Sequence, residues 1–120
     1  MSDFGITTKD VGEGIVVIKS AKLLDNNNAH EMVQAINAVQ GRGIKFIIID
    51  MTDLQFISSA GVGSILGTVE SSREMGGDIV LAGPSETVIH VFRVLDLLDY
   101  LTIKGSEQEA LAFCGAHNKV

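Results

Sequence analysis

The sequence predicts a single α/β domain, a mostly parallel mixed β-sheet of four to five strands packed by about four helices. Three observations carry that expectation. The 120 residues support one hydrophobic core and leave no room for a second of useful size, so one domain is expected over 1–120. The composition, 46% hydrophobic against 20% charged, supplies enough apolar surface for the chain to fold. Finally, β-branched runs alternate with segments whose apolar residues recur at helical spacing, the pattern of strands joined by crossover helices.

Each element has its own signal. Ile15-Val16-Val17-Ile18, entered through Gly12 and Gly14, reads as a strand, and a weaker extended segment from Phe4 to Thr8 could pair with it as a hairpin. Met32, Val33, Ile36 and Val39 then mark a helix that begins at Ala29 and ends at Gly41-Arg42-Gly43. Asn28 and Glu31 have the spacing of an N-cap and its reciprocal partner. Ile44-Lys45-Phe46-Ile47-Ile48-Ile49 lacks clean alternation, as expected of a central strand covered on both faces. After a polar turn at residues 50–53 and the segment Leu54-Gln55-Phe56-Ile57, a second helix opens near Ser58 or Ser59. Val62, Ile65, Leu66 and Val69 form its buried stripe, and Gly76-Gly77 stops it. Ile79-Val80-Leu81-Ala82 is the next strand, and Gly83-Pro84-Ser85 turns into a third helix carrying Val88, Val91, Phe92 and Leu95. Leu101-Thr102-Ile103 closes the sheet. Ser106 and Glu109 form a capping box for a last helix with Leu111 and Phe113. The apolar run over residues 88–101 reads as core, or alternatively as an exposed edge for self-association or a second partner.

Composition excludes several classes of function. Nine Lys and Arg against fifteen Asp and Glu give a net charge of -6, which argues against nucleic-acid binding, since that needs a dense positive face. The lone Cys114 permits no internal disulfide or Cys-only metal knot and reads as a small buried or half-buried hydrophobe. The opening MSDFGITTKD has neither the basic nor the apolar region of a secretory signal. No apolar run approaches the roughly 20 residues of a spanning helix, so a cytoplasmic protein without membrane contact is expected. His30, His90 and His117 lack metal-ligand spacing. Gly61, Gly63 and Gly67 do not have the G-x-G-x-x-G spacing and stand away from the preceding strand, and Ser59 lies in no G-x-S-x-G elbow. No catalytic residue, metal or cofactor is expected.

The chemistry concentrates in residues 50–67, at a strand-to-helix loop of the kind where α/β sheets engage ligands and partners. Two hydroxyls, Ser58 and Ser59, stand at a helix start. One reading is capping, which accounts for one serine. The other is a phosphorylation switch: a phosphoserine there meets free N–H groups and the positive end of the helix dipole, while its added charge repels acidic neighbours such as Asp50 and Asp53. Gly61, Gly63 and Gly67 each weaken a helix by about 1 kcal/mol relative to alanine, so the close approach of another backbone, either the sheet or a partner, is expected at them.

The segment resembles the signature of STAS domains, specifically the stand-alone anti-sigma factor antagonists. The matching residues are Ile47-Ile48-Ile49-Asp50-Met51-Thr52, then Phe56-Ile57, then Ser59-Ala60-Gly61-Val62-Gly63, with Leu24-Asp25 similar to an upstream Leu-Asp loop. The resemblance implies a STAS-type fold and a partner switch without catalysis of its own. A serine-kinase anti-sigma factor would bind the unphosphorylated form and phosphorylate it with ATP, and a metal-dependent serine phosphatase would reverse the modification. By position Ser59 matches the phosphoacceptor. Asp25, Ser58, Ser59, Ala60, Gly61, Val62 and Gly63 match the partner-contact residues. The signature Asp is Ser58 here, which leaves Ser58 as an alternative acceptor. A second reading is an interaction module whose partners control secretion or a stress-sensing complex, and weak self-association is a further expectation. Asp25, Ser58, Ser59 and the Gly61-to-Gly63 helix start are expected on one exposed face at the carboxyl ends of the strands.

Overall fold

A computed structural model describes residues 5–118. The elements run β1 (Thr7–Asp10), β2 (Ile15–Lys19), β3 (Leu23–Leu24), α1 (Ala29–Gln40), β4 (Phe46–Asp50), β5 (Phe56–Ile57), α2 (Ser59–Glu74), β6 (Asp78–Ala82), α3 (Glu86–Val94), β7 (Thr102–Lys104) and α4 (Glu107–His117). The main sheet has the order β1-β2-β4-β6-β7. Only the β1–β2 hairpin is antiparallel, and β3 and β5 form a separate two-stranded parallel ladder. This is the mostly parallel mixed sheet of five strands with four helices that the alternation of periods predicts.

β4 lies at the centre, with Ile48 opposite Val17 on one side and Val80 on the other. Its lack of alternation follows from burial on both faces. Ile47 and Ile49 join Val16, Ile18, Ile79 and Leu81 in the core made with α1, α2 and α3. Phe46 and Ile48 join Ile15, Val17 and Val80 in a second layer beneath Ala110 and Cys114 of α4. Three helices on one face and one on the other make successive side chains apolar.

Several boundaries differ from the expectation. The first strand is Thr7–Asp10, paired Thr8 to Ile18, and Phe4 lies outside the described residues. The central strand starts at Phe46, while the carbonyl of Lys45 accepts a hydrogen bond from the Asp78 N–H. The run at 88–101 is not one helix. α3 ends in a Schellman motif in which Asp96 adopts φ 63°, the Leu97 N–H donates to Phe92 O (2.8 Å) and the Asp96 N–H donates to Arg93 O (3.0 Å). Leu95 is therefore 47% exposed beside Val94 at 68%, although it was expected in the buried stripe. α2 closes the same way, with the Gly77 N–H on Ser72 O and the Gly76 N–H on Arg73 O, as the two glycines predict. In α4 the Ser106 hydroxyl caps the Glu109 N–H, but the Glu109 carboxylate accepts from the Gly105 N–H, one residue before the expected box. Ala110 and Cys114 carry its burial, with Leu111 and Phe113 half-buried beside them. Among the described residues no helix is long and apolar enough to cross a membrane.

Burial, with the charge of Asp78 adding to it, pushes the Cys114 thiol from its ordinary 9.0 up to about 11. A raised folded value means that this group's stabilisation is present below about pH 9 and is lost as pH rises toward 11. Native protein at pH 8 is expected to resist iodoacetamide at Cys114 and to react on unfolding in urea. Rapid alkylation of the native state would show that α4 does not seal this layer.

Candidate functional site: two serines at a helix start beside the Asp25 turn

The β3–β5 ladder assembles the site. Leu23 pairs with Phe56 and Leu24 with Ile57, and the Gln55 N–H donates to Lys22 O (2.7 Å) while the Ser58 N–H donates to Leu24 O (2.9 Å). Both strands emerge past the carboxyl ends of β2 and β4, so Asp25 and Ser58, far apart in sequence, leave neighbouring strand ends together. The loops meet at one end of the sheet, as their positions after parallel strands predict.

Asp25 is half-buried at the head of a tight turn, where its carboxylate accepts from the Asn27 N–H (2.9 Å) and its carbonyl from Asn28 and Ala29 N–H. Ser58 is the N-cap of α2. Its backbone is extended (φ -92°, ψ 174°) and its Oγ accepts from the Gly61 N–H at 3.2 Å. Ser59, the first residue of the helix, is exposed, and its hydroxyl has no partner among the described residues. Capping thus occupies one serine and not the other.

Ala60 and Gly63 are exposed, whereas Gly61 and Val62 are buried, which corrects the expectation that this whole helix start lies on the exposed face. The glycines also divide. A Cβ on Gly61 would stand 2.6 Å from Leu24 O and 2.8 Å from Ile57 Cγ1, so this glycine lets α2 lie against the ladder. Around Gly63 and Gly67 a Cβ would meet nothing among the described residues, so the sheet makes no close approach there. Gly63→Ala and Gly67→Ala are therefore expected to stabilise the protein by about 0.5–1 kcal/mol each through helix propensity. Gly61→Ala is expected to destabilise it by about 1–3 kcal/mol. Urea unfolding measures all three, and a stabilised Gly61→Ala would show that the helix start is not pressed on Leu24.

Asp50-Met51-Thr52 has a structural part in the site. The Asp50 carboxylate accepts from the Thr52 N–H (3.0 Å) and hydroxyl (2.7 Å), forming the turn between β4 and β5. Beside it Lys19 pairs with Asp53 at 3.1 Å, and that hydrogen bond and charge raise the lysine's pKa. The sequence reading missed two features. Leu23 and Phe56, each 49% exposed, form an apolar cross-strand pair next to the serines. The signal was available in the matched patterns Lys22-Leu23-Leu24-Asp25 and Gln55-Phe56-Ile57-Ser58, polar-apolar-apolar-polar in both. The second is Asn28, expected to cap α1, whose side chain makes no capping bond. Instead its Oδ1 accepts from the Asp25 N–H and its Nδ2 donates to Leu23 O.

The STAS-domain family model matches residues 7–110 of this chain, from the first strand into the last helix. The chain belongs to the STAS-domain family. Among its relatives, the anti-sigma-B factor antagonist of Listeria monocytogenes is 28% identical over 86 residues, covering 72% of this chain and 75% of that protein. The anti-sigma factor antagonist SpoIIAA, solved in its unphosphorylated form, superposes with a TM-score of 0.80 at 26% identity, over 93% of this chain and 97% of that one. The Bacillus cell fate determinant SpoIIAA in its phosphorylated form gives 0.72 at 26% identity, over 91% and 98%. SpoIIAA thus carries this STAS fold in two phosphorylation states.

Proposed function

We propose that this STAS protein is an anti-sigma factor antagonist controlled by phosphorylation of Ser59. The unphosphorylated form binds a serine-kinase anti-sigma factor through the Asp25 turn and the exposed start of α2, and so frees the sigma factor. The bound kinase then transfers phosphate: Ser59 Oγ bonds to the γ-phosphorus of ATP, the bond to the β-phosphate oxygen breaks, ADP leaves and the hydroxyl proton passes to a base on the kinase. A metal-dependent serine phosphatase hydrolyses the phosphoserine and restores binding. The chain supplies the acceptor and no catalytic group, and it works in the cytoplasm with its partners. Exposed Val94 and Leu95 leave an apolar edge for weak self-association.

The observation that carries this reading is the unequal use of the two serines, Ser58 Oγ holding the Gly61 N–H and Ser59 Oγ exposed with no partner among the described residues. A phosphate adds about −1.5 to −2 charge. At the first residue of a helix the dipole tolerates that charge, so the fold survives while the surface beside Asp25 becomes more negative toward a partner. The test is co-purification from the source cell, with partners and phosphosites read by mass spectrometry. A serine-kinase partner and a single phosphate on Ser59 are expected. A phosphate on Ser58 with Ser59 unmodified would overturn the assignment.

A further inference from the structure

We propose that Asn28 is a positioning residue that holds the Asp25 turn and the Ser58–Ser59 helix start together as one preformed surface. The inference rests on the partner-binding role proposed above. Asn28 is only 5% exposed, and both ends of its amide are engaged: Oδ1 accepts from the Asp25 N–H at 2.9 Å and Nδ2 donates to Leu23 O at 2.7 Å. It stands at the N-cap position of α1, yet its backbone (φ -130°, ψ 4°) directs the side chain away from the helix, and only its backbone carbonyl receives the Glu31 and Met32 N–H groups. A residue type favoured as a cap leaves the helix uncapped and serves β3 instead.

The bridge spans the strand that carries the site. With Leu23 and Asp25 both tied to one rigid amide, the intervening Leu24 has its carbonyl fixed in direction. That carbonyl accepts the Ser58 N–H, and the backbone of Gly61 lies against it. Two residues of ladder hold little structure by themselves. Asn28 supplies the constraint that the ladder lacks, and it reaches Ser58 through Leu24. A surface ordered before encounter loses less conformational freedom on binding, which favours affinity.

Asn28→Ser tests this directly, because serine caps a helix as well as asparagine but is too short to join Leu23 O to the Asp25 N–H. Amide hydrogen exchange by NMR at Asp25, Ser58 and Ile48 is the primary measurement. Exchange at Asp25 and Ser58 should accelerate together by about tenfold or more, with Ile48 in β4 unchanged. Acceleration at Asp25 alone, or by one common factor at all three, overturns the coupling. Asn28→Thr, which also caps without bridging, should give the same pattern. The second measurement is the affinity of full-length wild type and Asn28→Ser for the serine-kinase anti-sigma factor that co-purifies. A loss of about tenfold is expected and equal affinity overturns the positioning role. If wild type binds no such kinase, the proposed function fails, and the exchange data still decide whether Asn28 couples the two loops.

Discussion

Ser59→Ala is expected to abolish phosphate incorporation from ATP by the cognate kinase, while Ser58→Ala keeps it. The difference originates in one turn of helix. Ser58 Oγ is engaged as the cap on the Gly61 N–H, and Ser59 Oγ is exposed with no partner among the described residues. Ser58→Ala removes the cap and is expected to lower stability by about 0.5–2 kcal/mol, leaving the Ser59 hydroxyl in place. Ser59→Asp should weaken kinase binding only in part, because one carboxylate has less charge and fewer acceptor oxygens than a phosphate. Ser58→Asp restores the residue of the STAS signature at that position; a carboxylate also caps, so it should alter the rate of modification and not its site. Phosphopeptide mapping of the four variants checks the set. Ser59→Ala modified at the wild-type rate, or phosphate found on Ser58, would remove the basis for naming Ser59 the acceptor.

Gly77→Ala is expected to produce the largest loss of stability, about 3 kcal/mol or more. Gly77 closes α2 with its N–H on Ser72 O (2.8 Å), and the next N–H, of Asp78, begins the pairing with β4 through Lys45 O (3.0 Å). A Cβ on Gly77 would overlap the Lys45 carbonyl and lie 2.7 Å from Lys45 Cβ. The carbonyl is main chain just before β4 and Gly77 stands just before β6, its neighbour in the sheet, so relief requires β6 to shift against β4, and those two strands sit at the centre of the core. The midpoint of thermal unfolding should fall by on the order of 10 °C. A Gly77→Ala protein as stable as wild type would show that the approach of these two backbones is looser than described, and Gly67→Ala, in open space, is the matching control.

The difference between Gly77 and Gly67 marks the boundary of what could be read without coordinates. In the sequence Gly67 reads as a helix-interior glycine and Gly77 as part of the helix stop, so local pattern marks Gly67 as the costly one and Gly77 as ordinary. Only the packing separates a glycine pressed on a carbonyl from one facing open space. Leu95 makes the same point at the surface. Its spacing from Val88, Val91 and Phe92 is helical, but a Schellman turn at Asp96 ends the periodicity one residue before the stripe reaches it. Asn28 shows the same at the site. Local spacing predicted a cap, and a contact with the preceding strand prevailed because it satisfies two main-chain groups of a strand too short to order itself.

By itself the sequence determined the alternation of strands and helices, the central place of Ile47, Ile48 and Ile49, the helix stop at Gly76, the STAS signature and the pair of hydroxyls at the start of α2. These are properties of composition and period within a few residues of one another, and a one-dimensional pattern records them. The tertiary structure alone decided which serine caps the helix, which glycine is required, and that residues 23–24 and 56–57 pair to bring Asp25 beside Ser58. The physical reason is range. Those outcomes depend on hydrogen bonds and close contacts between segments distant in sequence, formed only when the sheet places the two loops at the same end.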